Sequence, residues 1–219
     1  MKSHDVIFVI GPTGSGKTFI INHAVKKHDA YPVLVGKILR EKYKTQEFQG
    51  KGCPEHLVEE ACNLMIAGVQ DGINKDKGLI IVDGMPRHPR QCDMIFREFF
   101  SNDGLFTKNC EPNFLYLNCD NNIRSTRLTE RDSKNVNDKE LSDARFLKDI
   151  EDLKSVIFDL TINKKVAHKI HIVEAKNNEK EFDDYYKMIL FNDSHNDFST
   201  PIVPDIKKLT FHERQTQTV

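Results

Sequence analysis

Asp5-Val6-Ile7-Phe8-Val9-Ile10-Gly11-Pro12-Thr13-Gly14-Ser15-Gly16-Lys17-Thr18 is the stretch from which the fold is read. Its first six residues form a short, almost continuously apolar and β-branched run, the pattern of a strand buried on both faces in a parallel sheet. The next eight match G-x-x-x-x-G-K-[ST] without exception. Glycines are needed there because successive backbone N–H groups must turn inward around phosphate oxygens, which a chain without Cβ does easily. From Lys17 to His28 the apolar residues Ile21, Ala24 and Val25 recur at helical spacing. A helix there aims its N-terminus at the same anion. Strand, glycine loop and helix together predict a nucleotide-phosphate site of the ATP type. Gly11, Gly14, Ser15 and Gly16 supply its backbone, Lys17 bridges the outer phosphates, and the Thr18 hydroxyl faces Mg2+.

Outward from this unit, apolar runs recur at Tyr31 to Val35, Gly78 to Val82, Asn113 to Leu117 and Lys169 to Val173, separated by helix-compatible sequence. Five strands alternating with helices predict a doubly wound, three-layer α/β/α fold on a five-stranded parallel sheet. The clearest helix signals are Pro54 to Val69 and Pro89 to Phe100, each opening on proline at the first position. A longer one covers Lys139 to Asn163, with Phe146, Ile150, Leu153, Ile157 and Leu160 on one stripe. Residues 36–72 interrupt the alternation with two helical pieces, and 131–138 form a polar break. Both read as flaps over a site. From Asn192 the composition turns polar, predicting a flexible tail over 192–219 after a domain of residues 1–191.

The 219 residues carry 32 Lys plus Arg against 33 Asp plus Glu, a net charge of −1. That balance points to neither nucleic acid nor a membrane surface as partner. No run approaches the length of a spanning helix and the first residues lack a signal-peptide pattern, so a cytoplasmic protein is expected. Five cysteines without C-x-x-C pairs predict reduced thiols.

At the end of the third strand stands Val82-Asp83-Gly84-Met85-Pro86-Arg87-His88-Pro89-Arg90-Gln91. Asp83 falls at the C-terminal sheet edge, beside the phosphate loop, where Mg2+ and its waters sit. The segment resembles the D-G-[FY]-P-R-x-x-x-Q signature of adenylate kinases and related nucleoside monophosphate kinases. By that resemblance Asp83 organises Mg2+, Arg87 and the neighbouring Gly84 contact the acceptor nucleotide, and Gln91 reads the adenine of AMP. Val35-Gly36-Lys37-Ile38-Leu39-Arg40 is similar to the family's [TA]-G-D-L-L-R, giving Arg40 the acceptor phosphate and placing Val35 at the base pocket; Lys37 departs from the usual Asp, and Val35 from Thr or Ala. Gly50-Lys51-Gly52-Cys53-Pro54 looks like the G-x-x-V-P loop of the acceptor insertion, 36–72. Arg127-Leu128-Thr129-Glu130-Arg131 is similar to R-x-x-x-R at the lid entrance. It implies that Arg127 stacks on the donor base and Arg131 reaches the transferring phosphates. Arg145 fits the lid-exit arginine, and Asn177 lies in the strand-end loop that touches the donor adenine. A further lid arginine is missing, with Lys134 nearest its place.

The resemblance implies ATP-dependent phosphoryl transfer to a nucleoside monophosphate, AMP before others, using Mg2+; a monomer is expected, since 36–72 and 131–138 must move freely. Such chemistry needs little acid–base help, because the attacking group is already an oxyanion; it needs two anions brought into line and their charge neutralised. Lys17, Arg40, Arg87, Arg131 and Arg145 are the cations for it, and His168, His171 and the thiols are expected as core or surface. Two alternatives stay open: a uridylate–cytidylate-type kinase, and a degenerate nucleotide-binding protein acting through a partner.

Overall fold

In a computed structural model the described residues are 3–43, 54–132, 138–174 and 179–191. Among them the order is β1 (His4–Ile10), α1 (Lys17–His28), β2 (Tyr31–Val33), α2 (Val35–Tyr43), α3 (Val58–Asn74), β3 (Leu79–Asp83), α4 (Pro89–Phe100), β4 (Cys110–Asn118), α5 (Asn121–Asp132), α6 (Asp138–Ile162), β5 (Ile170–Glu174) and α7 (Glu179–Phe191). Single 3-10 turns, Glu55–Leu57 and Ala167–Lys169, precede α3 and β5.

The sheet is parallel throughout, in the order β2-β3-β1-β4-β5. β1 is central, with Val9 opposite Asp83 on one side and Leu115 on the other. Its alternating side chains divide the interior into two layers. Val6, Phe8 and Ile10 face a core with Val35 and Leu39 of α2, Met65 and Val69 of α3, Cys92, Ile95 and Phe99 of α4, and Leu153, Ile157 and Leu160 of α6. Ile7 and Val9 face Ile20, Ile21 and Ala24 of α1 and Phe182 and Tyr185 of α7. A fully buried strand has no polar face to spare, which is why this run reads as continuously apolar. Phe8 stacks on Phe114 at 5.1 Å between centroids and meets the edge of Phe99 at 5.5 Å, fixing α4 against two strands.

The three-layer α/β/α architecture is as expected. Pro112, inside β4, is accommodated because pairing with β5 begins only at Phe114, so the missing N–H faces no partner strand. Two boundaries differ. The second strand ends at Val33, not Val35, because the Leu34 carbonyl accepts the amides of Lys37 (3.0 Å) and Ile38 (3.1 Å) and turns the chain into α2. Pro54 opens a 3-10 turn and α3 begins four residues later; proline's fixed φ suits either start. Among the described residues no helix is long and apolar enough to cross a membrane, and Cys62, Cys92, Cys110 and Cys119 are buried thiols outside any disulfide. Burial pushes the Cys110 thiol up to about 12 and the Cys92 thiol further still.

Candidate functional site

The loop between β1 and α1 is built around backbone donors. Gly16 caps α1 with φ 96°, and the Ser15 amide closes a turn on the Pro12 carbonyl at 3.1 Å. Gly14 also has positive φ, 85°, and a Cβ there would come within 2.8 Å of Arg124 Cγ, so a side chain is excluded twice over. Lys17 donates its ammonium to the Gly11 and Pro12 carbonyls at 2.7 and 2.9 Å, which keeps the charge over the loop. Thr18 is exposed on the first turn of α1.

Asp83 ends β3 beside this loop, because β3 pairs directly with β1 and the Gly84 amide donates to the Val9 carbonyl at 2.9 Å. Gly84 carries φ 65°, and the Met85–Pro86 bond is cis. Arg87 then folds back: its Nε donates to the Gly84 carbonyl at 2.9 Å and its amide to Gln91 Oε1 at 2.7 Å. Gln91 is 2% exposed on α4, so its amide oxygen fixes the arginine's backbone, a contact its sequence position did not announce.

Asp149 of α6 joins the two halves. Its Oδ2 accepts from the Thr13 amide at 3.0 Å and the Thr13 hydroxyl at 2.5 Å, and its Oδ1 lies 3.4 Å from Arg87 Nη1. At 4% exposure it is a buried carboxylate with charge-assisted partners on both oxygens. Sequence reasoning passed over it, although a signal was there: Asp149 precedes Leu153, Val156 and Leu160 by 4, 7 and 11 residues, an acid on the apolar stripe of a helix. Arg124 was missed too. Buried to 1%, it lies with Leu128 against Gly14, while Arg127 points a guanidinium nitrogen at the Gly14 carbonyl, 3.4 Å away.

The structure thus brings Gly11, Gly14, Ser15, Gly16, Lys17, Thr18, Asp83, Gly84, Arg87, Gln91 and Arg127 to one edge of the sheet. Arg40 is exposed on α2, with a terminal nitrogen 3.3 Å from where a Cβ on Gly36 would stand. Val35, at the first residue of α2, is buried in the core, and Lys37 is a surface residue with its ammonium 3.9 Å from Glu41. Arg131 stands in the last turn of α5 and Arg145 in the first third of α6. Asn177, Lys134 and the tail 192–219 lie outside the described residues, as do 50–53 of the insertion loop. Arg90 and Arg97 are exposed on α4, as solvated charges.

Buried Ser15 Oγ and Asp83 Oδ1 have no hydrogen-bond partner among the described residues. An orphaned carboxylate oxygen beside a phosphate loop suits a hard, oxygen-seeking cation, so the residues present fit Mg2+. A parallel sheet with G-x-x-x-x-G-K-T at the end of its central strand and a carboxylate on the adjacent one defines a P-loop protein of the nucleotide-binding class. Within that class the chain belongs to the AAA domain family, whose profile matches residues 7–148, well over half of it. It is also similar to adenylate kinases of Mesomycoplasma hyopneumoniae, strains 7448, J and 232, each 27% identical over 139 residues; the match covers 60% of this chain and 60% of each relative.

Proposed function

We propose that the protein is an ATP:nucleoside monophosphate phosphotransferase, with AMP as its acceptor and ADP as its product. One observation carries the reading. Asp149 holds Thr13 of the phosphate loop and also faces Arg87, so the loop and the arginine expected at the acceptor phosphate meet at one carboxylate. A hydrolase needs only the first of these; transfer between two nucleotides needs both within a phosphate's reach. The similarity to adenylate kinases supports the same choice.

In this mechanism the loop amides and Lys17 cradle the donor phosphates, Arg127 sits at the donor side, and Arg87 with Arg40 aligns the acceptor. Arg131 and Arg145 are assigned the transferring phosphate by family resemblance. Thr18 and Asp83 would hold Mg2+, which supplies neutralising charge at the phosphates. The protein's own work is positioning and electrostatic stabilisation, since charge spreads over the equatorial oxygens in a loose transition state. Excluding water from the paired phosphates would prevent the attack that wastes ATP, a task the resemblance gives to the 36–72 insertion and the 131–138 lid, of which residues 44–53 and 133–137 lie outside the described residues. A cytoplasmic monomer, with residues 1–191 as its catalytic domain, completes the reading.

The test is ADP formation from ATP with AMP, CMP, UMP, dTMP and GMP. Tightest saturation by AMP is expected. Tightest saturation by a pyrimidine overturns the acceptor choice, ATP loss without acceptor makes the protein a hydrolase, and ATP binding without turnover makes it a degenerate member.

A further inference from the structure

On the face of the sheet opposite Arg87 and α6, the C-terminal end of α1 packs on α7. His23, Lys27 and His28 of α1 converge there on Asp183 of α7. His23 Nε2 lies 2.9 Å and His28 Nε2 2.7 Å from the same oxygen, Asp183 Oδ1, while the Lys27 ammonium holds the other oxygen, Oδ2. The three candidate ligand atoms lie within 4.8 Å of one another. Nothing in phosphoryl transfer uses them, and they lie about 160 residues apart in sequence.

We propose that His23, His28 and Asp183 form a binding site for a divalent transition cation of the zinc class, pinning the C-terminal helix to the first. Neutral imidazole and carboxylate are ligands of that class, and two histidines with one carboxylate leave a fourth position open. The size fits. Four-coordinate zinc with bonds of about 2.0–2.1 Å sets its ligand atoms about 3.3 Å apart. The two histidine–aspartate distances therefore need to widen by about half an ångström, and the two imidazole nitrogens, up to 4.8 Å apart, to close by up to about 1.5 Å, movements within the reach of side-chain torsions. On binding, each neutral imidazole carries its proton on Nδ1 and turns the Nε2 lone pair to the ion.

The surroundings favour the same use. Phe182 and Tyr186 enclose the rings, with Tyr186 4.8 Å from His28 between centroids, so the site has an apolar wall that holds the imidazoles in place. His28 remains 18% exposed, which leaves a way in. Lys27 lies outside the ligand triangle. On Oδ2 it orients the carboxylate while Oδ1 faces the ion, and being 53% exposed it can withdraw to water. Burial by itself would raise the Asp183 carboxyl, but the hydrogen bonds from Lys27, His23 and His28 outweigh it and hold the group well below the usual carboxylate range, in the ligating form.

The experiment uses the full chain, stripped with chelator and free of nucleotide, titrated with Zn2+ against a chromophoric competitor and with Co2+ by visible absorption. One ion per chain is expected. Co2+ should give the d–d bands of a four-coordinate nitrogen and oxygen site without a thiolate charge-transfer band, and Zn2+ should raise Tm. His28→Gln keeps a hydrogen-bond donor to Asp183 and so preserves the fold; it should weaken binding at least tenfold and abolish the Tm rise. Asp183→Asn should do the same, and Lys27→Met should bind as tightly as wild type or tighter. No uptake at micromolar ion, equal uptake by His28→Gln, or a thiolate band would each overturn the proposal, the last by assigning the ion to cysteine. None of these readouts depends on nucleotide turnover.

Discussion

Replacing Asp149 by Asn tests the joint on which the site is built. The carboxylate accepts two hydrogen bonds from Thr13, at 3.0 and 2.5 Å, and faces Arg87 at 3.4 Å. An amide keeps one acceptor oxygen but presents N–H groups to the other partners. Bonds to charged groups contribute about 1.5–3 kcal/mol against about 1 for neutral ones, so losing the charge on both Thr13 bonds costs about 2–3 kcal/mol. The Arg87 contact adds little, because it is long and the guanidinium is partly exposed. In a domain of this size about 2–4 °C accompanies each kcal/mol, so Tm should fall by about 4–12 °C, read by calorimetry or circular dichroism. A cycle with Thr13→Val, which removes the hydroxyl and keeps the amide, should show a coupling of about 1 kcal/mol or more. A Tm within 1 °C of wild type together with additive single effects would refute the argument.

Lys17→Met and Arg87→Ala should each lower turnover by orders of magnitude with the fold retained, since under the proposed function both groups would act on phosphate charge; steady-state ADP formation and near-unchanged melting check this. Phe8→Ala should destabilise by about 3–5 kcal/mol in urea titration, because the ring fills the space between Phe114 and Phe99. Alkylation at pH 8 followed by peptide mass mapping should leave Cys92 and Cys110 unmodified in the native protein, burial having raised both thiols far above that pH. With chelator present, the stability that Asp183 adds over Asp183→Asn should be full at pH 7. It should diminish only as pH falls below the unfolded carboxyl value of about 3.9, because a depressed folded carboxyl loses its contribution as it is protonated; an advantage that disappears above pH 5 would contradict that sign.

Local rules were enough for β1, the phosphate loop and α1, since each carries its own pattern: an apolar run, obligatory glycines and helical spacing. Asp83 and Arg87 were legible because a short signature places them at a strand end. Val35 was misjudged as strand because its β-branched side chain suits a strand, whereas the Leu34 carbonyl's bonds to Lys37 and Ile38 start a helix there. Asp149 and Arg124 were not found for a different reason. Their partners lie 136 residues away for Asp149 and about 110 for Arg124, and pairings over such distances have no local spacing to betray them. What each left in the sequence was only a charge among apolar neighbours. The His23, His28 and Asp183 cluster is of the same kind, joined across the chain from first helix to last.

The near-neutral total charge takes on a more definite meaning once the contacts are known. Lys17 rests on two backbone carbonyls and Arg127 points at a third, all within the phosphate loop. Carbonyls are neutral acceptors, so a phosphate oxygen that replaces them gains charge assistance at small cost. Arg87 stands differently: besides the Gly84 carbonyl it faces a carboxylate, which competes with an incoming phosphate for the same guanidinium. Under the proposed function, Asp149 would tie the arginine of the acceptor side to the phosphate loop, and a phosphate arriving at Arg87 would displace only a long contact to that carboxylate.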